Sequence, residues 1–388
     1  MQFTDFTKLD LSRVPSPCFV VDEVAIERNL AILHQVANIS GAKILAALKA
    51  FSMWHLGEKT SQYLNGTCAS GLHEARLGQE FYPGEVHVFS AAYSQNDLEE
   101  LLTFADHIVF NSCSQWQRFQ PQILKAKKLR PEMQFGLRIN PEHSEGTVAI
   151  YDPCAPGSRL GITLDQLDET MLEGISGLHF HTLCEQAFEP LSRTLDAVES
   201  KFGHLLERMQ WINFGGGHHI TAPGYNIDGL IKRIREFSEK YQVQVYLEPG
   251  EAIAIGSGVL VCEVLDLTFN QLNQAILDTS ATCHMPDTLE MPYRPDIIGA
   301  AQPQEFVHTY RLGGLTCLAG DVINDYSFQK PLAIGQRLMF SDMAHYTMVK
   351  TSTFNGTKLP ALAVWNSETD SLKVIKTFGY ADFRSRLS

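Results

Sequence analysis

Lys49 directly follows Ile44-Leu45-Ala46-Ala47-Leu48, an apolar run that reads as a short buried strand. A lysine in that place lies where a parallel barrel exposes its catalytic end. Partial desolvation there lowers the amine's pKa and makes it a better nucleophile. On position alone, a solvated lysine at a strand end is the commoner case. What changes the reading is the series downstream: Gly177-Leu178-His179-Phe180-His181, Gly215-Gly216-Gly217, Glu248-Pro249-Gly250, Gly314-Leu315-Thr316-Cys317 and Tyr346. Three successive glycines let backbone N–H groups converge on an anion. A thiol can deliver a proton. Each part also has an ordinary reading: Glu-Pro-Gly makes turns, three glycines make a flexible loop, and tyrosine or cysteine packs in cores. Taken together, an amine, a flat aromatic, a phosphate-sized glycine nest, an acid and a thiol are the parts of a pyridoxal-phosphate site.

The elements that would position these residues alternate. Strand-like runs lie near Ile44–Leu48, Thr67–Ala69, Val86–Phe89, His107–Phe110, Phe135–Ile139, Ile175–His181, Trp211–Phe214 and Val243–Leu247, with helical stretches between most of them. Asp22 reads as the cap of a helix with Ile26, Leu30, Leu33 and Ala37 on one face, closed by Gly41. Ser94 reads as a second cap. Eight such alternations predict an α/β fold with a (β/α)₈ barrel of the TIM type over residues 23–253. After Glu251 the pattern becomes short β-like segments broken by Gly, Pro or Asn: Gly256–Leu267, Gln274–Leu277, Phe306–Leu312, Gln336–Phe340 and Ala361–Trp365. These predict a C-terminal antiparallel β domain of residues 254–388, joined by residues 1–22 through the strand Cys18-Phe19-Val20-Val21.

The 388 residues are 44% hydrophobic and 19% charged, which supports a sizeable core and excludes general disorder. A net charge of −13 argues against nucleic acid or anionic membranes as partners. It mildly favours a cationic small molecule, although acidity for solubility alone is commoner. No signal peptide or spanning segment is expected. The eight cysteines contain no Cys-x-x-Cys pair, so reduced thiols in a cytoplasmic protein are expected. His218-His219 have poor spacing for one ion and no evident third ligand, and no catalytic metal is expected.

Further motifs are Pro17-Cys18-Phe19-Val20-Val21-Asp22, Leu137-Arg138-Ile139-Asn140-Pro141, Cys283-His284-Met285-Pro286-Asp287 with Met291-Pro292-Tyr293-Arg294-Pro295, Thr316-Cys317-Leu318-Ala319-Gly320-Asp321, Phe354-Asn355-Gly356, and the tail Phe378-Gly379-Tyr380-Ala381-Asp382-Phe383-Arg384. With these the chain resembles, over nearly its whole length, the fold-type III pyridoxal-phosphate decarboxylases, the barrel enzymes related to alanine racemase, diaminopimelate decarboxylase and ornithine decarboxylase. Within that group the likeness is nearest to the carboxynorspermidine/carboxyspermidine decarboxylases. The resemblance implies pyridoxal 5'-phosphate as cofactor, carried by Lys49. It implies a ring stacked on by His181, a ring nitrogen faced by Glu248, and a phosphate held at Gly215, Gly216, Gly217 and Tyr346, with Arg138 in support. Cys317 would be the proton donor and would reach the active site of a neighbouring subunit, which implies a homodimer.

Three departures from the resemblance bear on substrate. Leu318 stands where amino-acid decarboxylases of the group place an acid that grips the far end of a short substrate. Glu251 stands where an arginine usually follows Glu-Pro-Gly. Thr182-Leu183-Cys184 replaces the usual Gly-Ser after the histidine strand, which puts a serine–phosphate contact in doubt. Acids such as Glu185, Asp278, Asp321 and Asp325 suit a longer, multiply cationic substrate, and Arg294 suits its carboxylate or serves as a structural ion-pair partner. The expected activity is decarboxylation of carboxynorspermidine and carboxyspermidine. The competing readings are a diaminopimelate or ornithine-type decarboxylase, a racemase, and a non-catalytic cofactor-binding regulator. Leu318 discriminates against the first; Cys317 weighs against the second; intact Lys49, Glu248 and Cys317 weigh against the last.

Overall fold

The computed structural model describes residues 3–146 and 148–388. They form two compact units: Glu27–Ile253, and the N-terminal residues through Ile26 together with Ala254–Ser388. The first boundary falls after Ile26, inside the helix Glu23–Ser40, rather than before Glu23. That helix starts as its sequence suggests: Asp22 Oδ1 accepts the Val24 N–H at 3.1 Å. It ends where Gly41, at φ +78°, turns its N–H back to the Ala37 carbonyl.

Strand β1 (Cys18–Asp22) belongs to the second unit. The next eight strands, all parallel, close into a barrel in the first: β2 (Lys43–Ala47), β3 (Gly66–Ala69), β4 (Glu85–Phe89), β5 (His107–Phe110), β6 (Gln134–Arg138), β7 (Gly177–His179), β8 (Trp211–Asn213) and β9 (Gln244–Leu247). Every expected barrel strand is present, although β7 is shorter than the run Ile175–His181 that announced it.

One steric fit organises the lumen. Gly136, Gly177 and Trp211 lie side by side across β6, β7 and β8. A Cβ on Gly177 would stand 2.0 Å from the Trp211 ring, and one on Gly136 2.4 Å from it. The indole therefore fills the room left by two absent side chains, against Leu45, Val109 and Tyr246. Toward the N-terminal ends of the strands the lumen turns polar. Glu85 binds the Lys43 ammonium, His87 Nε2 at 2.9 Å and the Tyr246 hydroxyl at 3.1 Å, and His87 stacks on His107.

The second unit is built on a nine-stranded sheet. Its remaining strands are β10 (Gly258–Asn270), β11 (Leu272–Leu277), β12 (Ala300–Ala301), β13 (His308–Gly313), β14 (Val322–Phe328), β15 (Arg337–Ser341), β16 (Ala361–Asn366) and β17 (Ser371–Lys376). Their order is β12-β14-β13-β11-β10-β1-β16-β17, with β15 also paired to β10. The sheet is mostly antiparallel, as expected, but β1–β16 and β11–β13 are parallel. Strands joined through long intervening chain escape the antiparallel constraint of a hairpin. Sequence patterning missed β14, whose centre is the polar pair Asn324-Asp325, and β17, whose side chains are mostly exposed.

Gly177→Ala should destabilise the fold by about 1–3 kcal/mol, because the new methyl cannot coexist with the Trp211 ring. A lowered urea midpoint checks this; an unchanged midpoint would mean that the indole has room to move.

Candidate active site

Parallel strands deliver their following loops to one end of the barrel. Lys49 comes two residues after β2, His181 two after β7, Gly215–Gly217 just after β8 and Glu248 just after β9, while Arg138 ends β6. The structure thus places the sequence-selected barrel residues at the same ends of the strands.

The hydrogen bonds assign protons. The Gly216 N–H donates to His181 Nδ1 at 2.9 Å. An accepting Nδ1 bears no proton, so the neutral ring carries its hydrogen on Nε2. Nε2 lies 3.2 Å from Lys49 Nζ. That proton points toward the amine. Burial agrees on both sides: it drives the His181 pKa well below the usual histidine range, helped by Lys49 and Arg138, and it lowers the Lys49 pKa against the opposing pull of Cys68 and Glu248. Lys49 remains partly open to solvent as a residue, so its amine is desolvated yet reachable.

Glu248 is held the other way. Burial alone would raise its carboxyl pKa, but His179 Nε2 at 3.2 Å and the Asn213 Nδ2 donor at 2.7 Å outweigh that and set it at about 2. Asn213 also accepts the Gly215 N–H at 2.8 Å. Arg138 is buried, stacks its guanidinium 4.6 Å from the Phe89 ring centre, and donates to the His181 carbonyl at 3.0 Å. Its pKa falls to about 10 through desolvation, so it stays cationic at neutral pH.

The glycines are required sterically. Gly215 and Gly217 have φ of +71° and +84°, and a Cβ on Gly216 or Gly217 would lie 2.1 Å from the Glu248 carbonyl oxygen or 2.0 Å from that of Leu183. The arrangement differs from a nest of three converging amides, because Gly215 and Gly216 spend their N–H groups on Asn213 and His181. Thr182 turns its hydroxyl to Thr194 at 3.4 Å, and Glu251 lies 3.1 Å from His219 Nε2. Glu185 is exposed, with φ of +52°.

The other selected residues belong to the second unit. Cys317 and Leu318 are exposed in a loop that other side chains hold: the Cys317 N–H donates to Asn355 Oδ1 at 2.8 Å. Asp321 was expected to contact substrate, but its buried carboxylate accepts from the Ser280 hydroxyl, the Thr282 N–H, and both the N–H and hydroxyl of Thr316. Asp278 accepts the Glu263 N–H and bonds Ser16. Arg294 lies over the Tyr326 ring and 3.6 Å from Asp296, the geometry of a structural ion-pair partner. Asp325 pairs with Arg311. Tyr346 takes φ of +45°.

Sequence reading missed Asn213, Asn355 and the pairing of His219 with Glu251, and it gave little weight to His179. Asn213 was detectable, since strand period two places it on the face of Gly215; Asn355 and His219 needed the folded loops. One cluster of metal-ligating type occurs among the described residues: Glu85, His87 and His107, whose carboxylate already holds Lys43. Among the described residues no helix is long and apolar enough to cross a membrane, and all eight cysteines are free thiols.

Residues 18–344 match the family model described as the pyridoxal-dependent decarboxylase, C-terminal sheet domain. The chain belongs to the pyridoxal-dependent decarboxylases. It is 42% identical to the carboxyaminopropylagmatine decarboxylase of Synechocystis sp., covering 97% of this chain and 96% of that protein. It is 40% identical to the carboxynorspermidine/carboxyspermidine decarboxylase of Campylobacter jejuni, covering 96% and 99%. A crystal structure of carboxynorspermidine decarboxylase complexed with norspermidine, from Campylobacter jejuni, superposes with a TM-score of 0.88 at 39% identity, covering 96% of this chain and all of that one. Diaminopimelate decarboxylase from Helicobacter pylori, at 16% identity and TM-score 0.82 over 97% of this chain and 98% of that one, shares the fold. The site fits the family's cofactor on its own geometry: a desolvated amine, an ionised buried carboxylate, and a glycine cradle with no room for a Cβ.

Since the Glu248 carboxyl titrates lower when folded than its ordinary 4.5, its contribution to stability is present above that value. It is lost as pH falls toward about 2. It amounts to a few kcal/mol, on the order of 3. Glu248→Gln should flatten the acid limb of the urea-stability profile by that amount; an unaltered limb would mean Glu248 is not held ionised.

Proposed function

We propose that this chain, with pyridoxal phosphate bound at Lys49, removes the carboxyl group of carboxynorspermidine and carboxyspermidine, releasing carbon dioxide with norspermidine or spermidine. The observation that supports this substrate class is the full-length likeness to the norspermidine-bound Campylobacter jejuni enzyme. A second reading, carboxyaminopropylagmatine as substrate, is supported by the 42% identity to the Synechocystis decarboxylase. These substrates share an amino-acid end and a cationic chain, and differ in whether the far end is an amine or a guanidine.

Bound pyridoxal phosphate supplies an electron-accepting ring that takes up the electron pair left when carbon dioxide departs. The residues of this chain do the rest. Lys49 presents an amine whose pKa burial has lowered, which favours the nucleophilic form, and His181 Nε2 lies against it. Glu248, buried and ionised, would face the ring nitrogen and favour its protonated form. His181, fixed at Nδ1 by the Gly216 N–H, offers a flat face for the ring. Cys317 Sγ gives the final proton to the substrate carbon, and in this reading it does so in the site of a second copy of the chain. Leu318 leaves the far end of a short diamino acid without a charged partner.

Borohydride should fix the cofactor on the peptide containing Lys49; labelling of another lysine overturns the assignment. Lys49→Ala and Cys317→Ala should each be nearly inactive. Mixed equally under subunit exchange, they should recover about a quarter of wild-type sites, because one site of each heterodimer is then intact. No recovery despite proven exchange would place both groups within one chain.

A product assay on a panel of carboxylated amines tests the substrate. Carboxynorspermidine and carboxyspermidine should exceed ornithine, lysine and diaminopimelate by at least about ten- to a hundredfold, the worth of one buried charge-assisted contact. Faster turnover of carboxyaminopropylagmatine selects the second reading, and equal turnover of diaminopimelate removes both.

A further inference from the structure

In barrels of this kind the loops after the seventh and eighth strands commonly hold phosphate. Here those loops follow β8 and β9, and each contributes one ionisable side chain of opposite type. His219 comes two residues after the last cradle glycine, and Glu251 three residues after Glu248. Their Nε2 and Oε2 atoms lie 3.1 Å apart, with side chains only 19% and 14% exposed. The pair borders the cradle: the charges of Glu251 and Lys49 both act on the Cys184 thiol, and the Cys184 backbone nitrogen lies 3.1 Å from where a Cβ on Gly217 would stand.

A carboxylate there opposes a dianionic ligand, since like charges in a partly desolvated site repel strongly. Backbone amides offer limited compensation, because those of Gly215 and Gly216 already serve Asn213 and His181. We propose that His219 is a further binding residue for the cofactor's phosphate, its imidazolium both cancelling Glu251 and supplying the positive charge at the cradle. Glu251 in turn holds the imidazole in place. This rests on the reading of Lys49 as the pyridoxal-phosphate lysine and assigns the charge balance at the other end of that ligand.

The test titrates cofactor-free protein with pyridoxal phosphate and with pyridoxal, followed by absorbance. Wild type should favour the phosphorylated form. His219→Ala and the near-isosteric His219→Gln should each weaken pyridoxal phosphate about ten- to a hundredfold, the range for loss of a charge-assisted contact. They should leave pyridoxal unchanged. Adding Glu251→Gln to either should restore most of the phosphate preference, because the uncompensated carboxylate is then gone. Equal weakening of both ligands would reduce the pair to a structural tether and overturn the proposal, as would no weakening of either or a double variant worse than the single. Wild-type protein that binds neither ligand would instead overturn the reading of Lys49 itself.

Discussion

Because the Gly216 N–H points at Nδ1 of His181, that ring keeps its own proton on Nε2 and turns it toward Lys49. Burial, the largest influence on the amine, lowers its pKa at the same place. The rest of the rim follows from that orientation. Glu248 sits within electrostatic reach of Lys49 and would favour an ammonium, so it has to be occupied elsewhere. His179 and Asn213 do this, and they keep it ionised at the same time. One rim therefore lowers the pKa of a base and of an acid together. Desolvation does the first, and the contacts of Glu248 with His179 and Asn213 do the second.

The backbone makes this possible. Asn213 bonds Glu248 through its amide nitrogen and Gly215 through its oxygen, so the turn after β8 and the carboxylate after β9 are set by one side chain. The glycines leave space for the chain segments to pass within contact of each other, and the indole of Trp211 beneath them is accommodated by Gly136 and Gly177 in the same manner. Side chains were removed on some strands so that others could be placed with little freedom.

The sequence made the barrel legible because its strands are continuous apolar runs at regular intervals, and because the side chains of Asp22 and Ser94 start helices and the backbone N–H of Gly41 ends one as cap chemistry requires. The residues of the rim were legible for a related reason: Lys49, His181 and Glu248 each lie within two residues of the end of a strand, so strand position implies location. Parts of the sheet were less visible. β14 carries Asn324 and Asp325 at its centre and β17 lies at the edge with exposed lysines, so neither shows an apolar run. The acids illustrate a different difficulty. Composition and motif could select Asp278 and Asp321, but only folded coordinates reveal that backbone and hydroxyl donors already engage them. A carboxylate's availability depends on loops far away in sequence, as with Ser280 and Asp321.

Strand β1 has a position with consequences for how the polypeptide is made. It lies inside the sheet, with Cys18 opposite Val261 of β10 on one side and Ala361 of β16 on the other. The residues of Cys18–Asp22 are all buried in the finished protein. On the ribosome, this apolar segment emerges before either partner and then waits for both. The barrel, whose strands neighbour one another in sequence, can be complete while β1 still has two unpaired edges. Formation of the sheet is therefore tied to the last quarter of the chain, and a truncated product ending before β16 would display a hydrophobic strand edge of the kind that chaperones retain and that aggregates recruit.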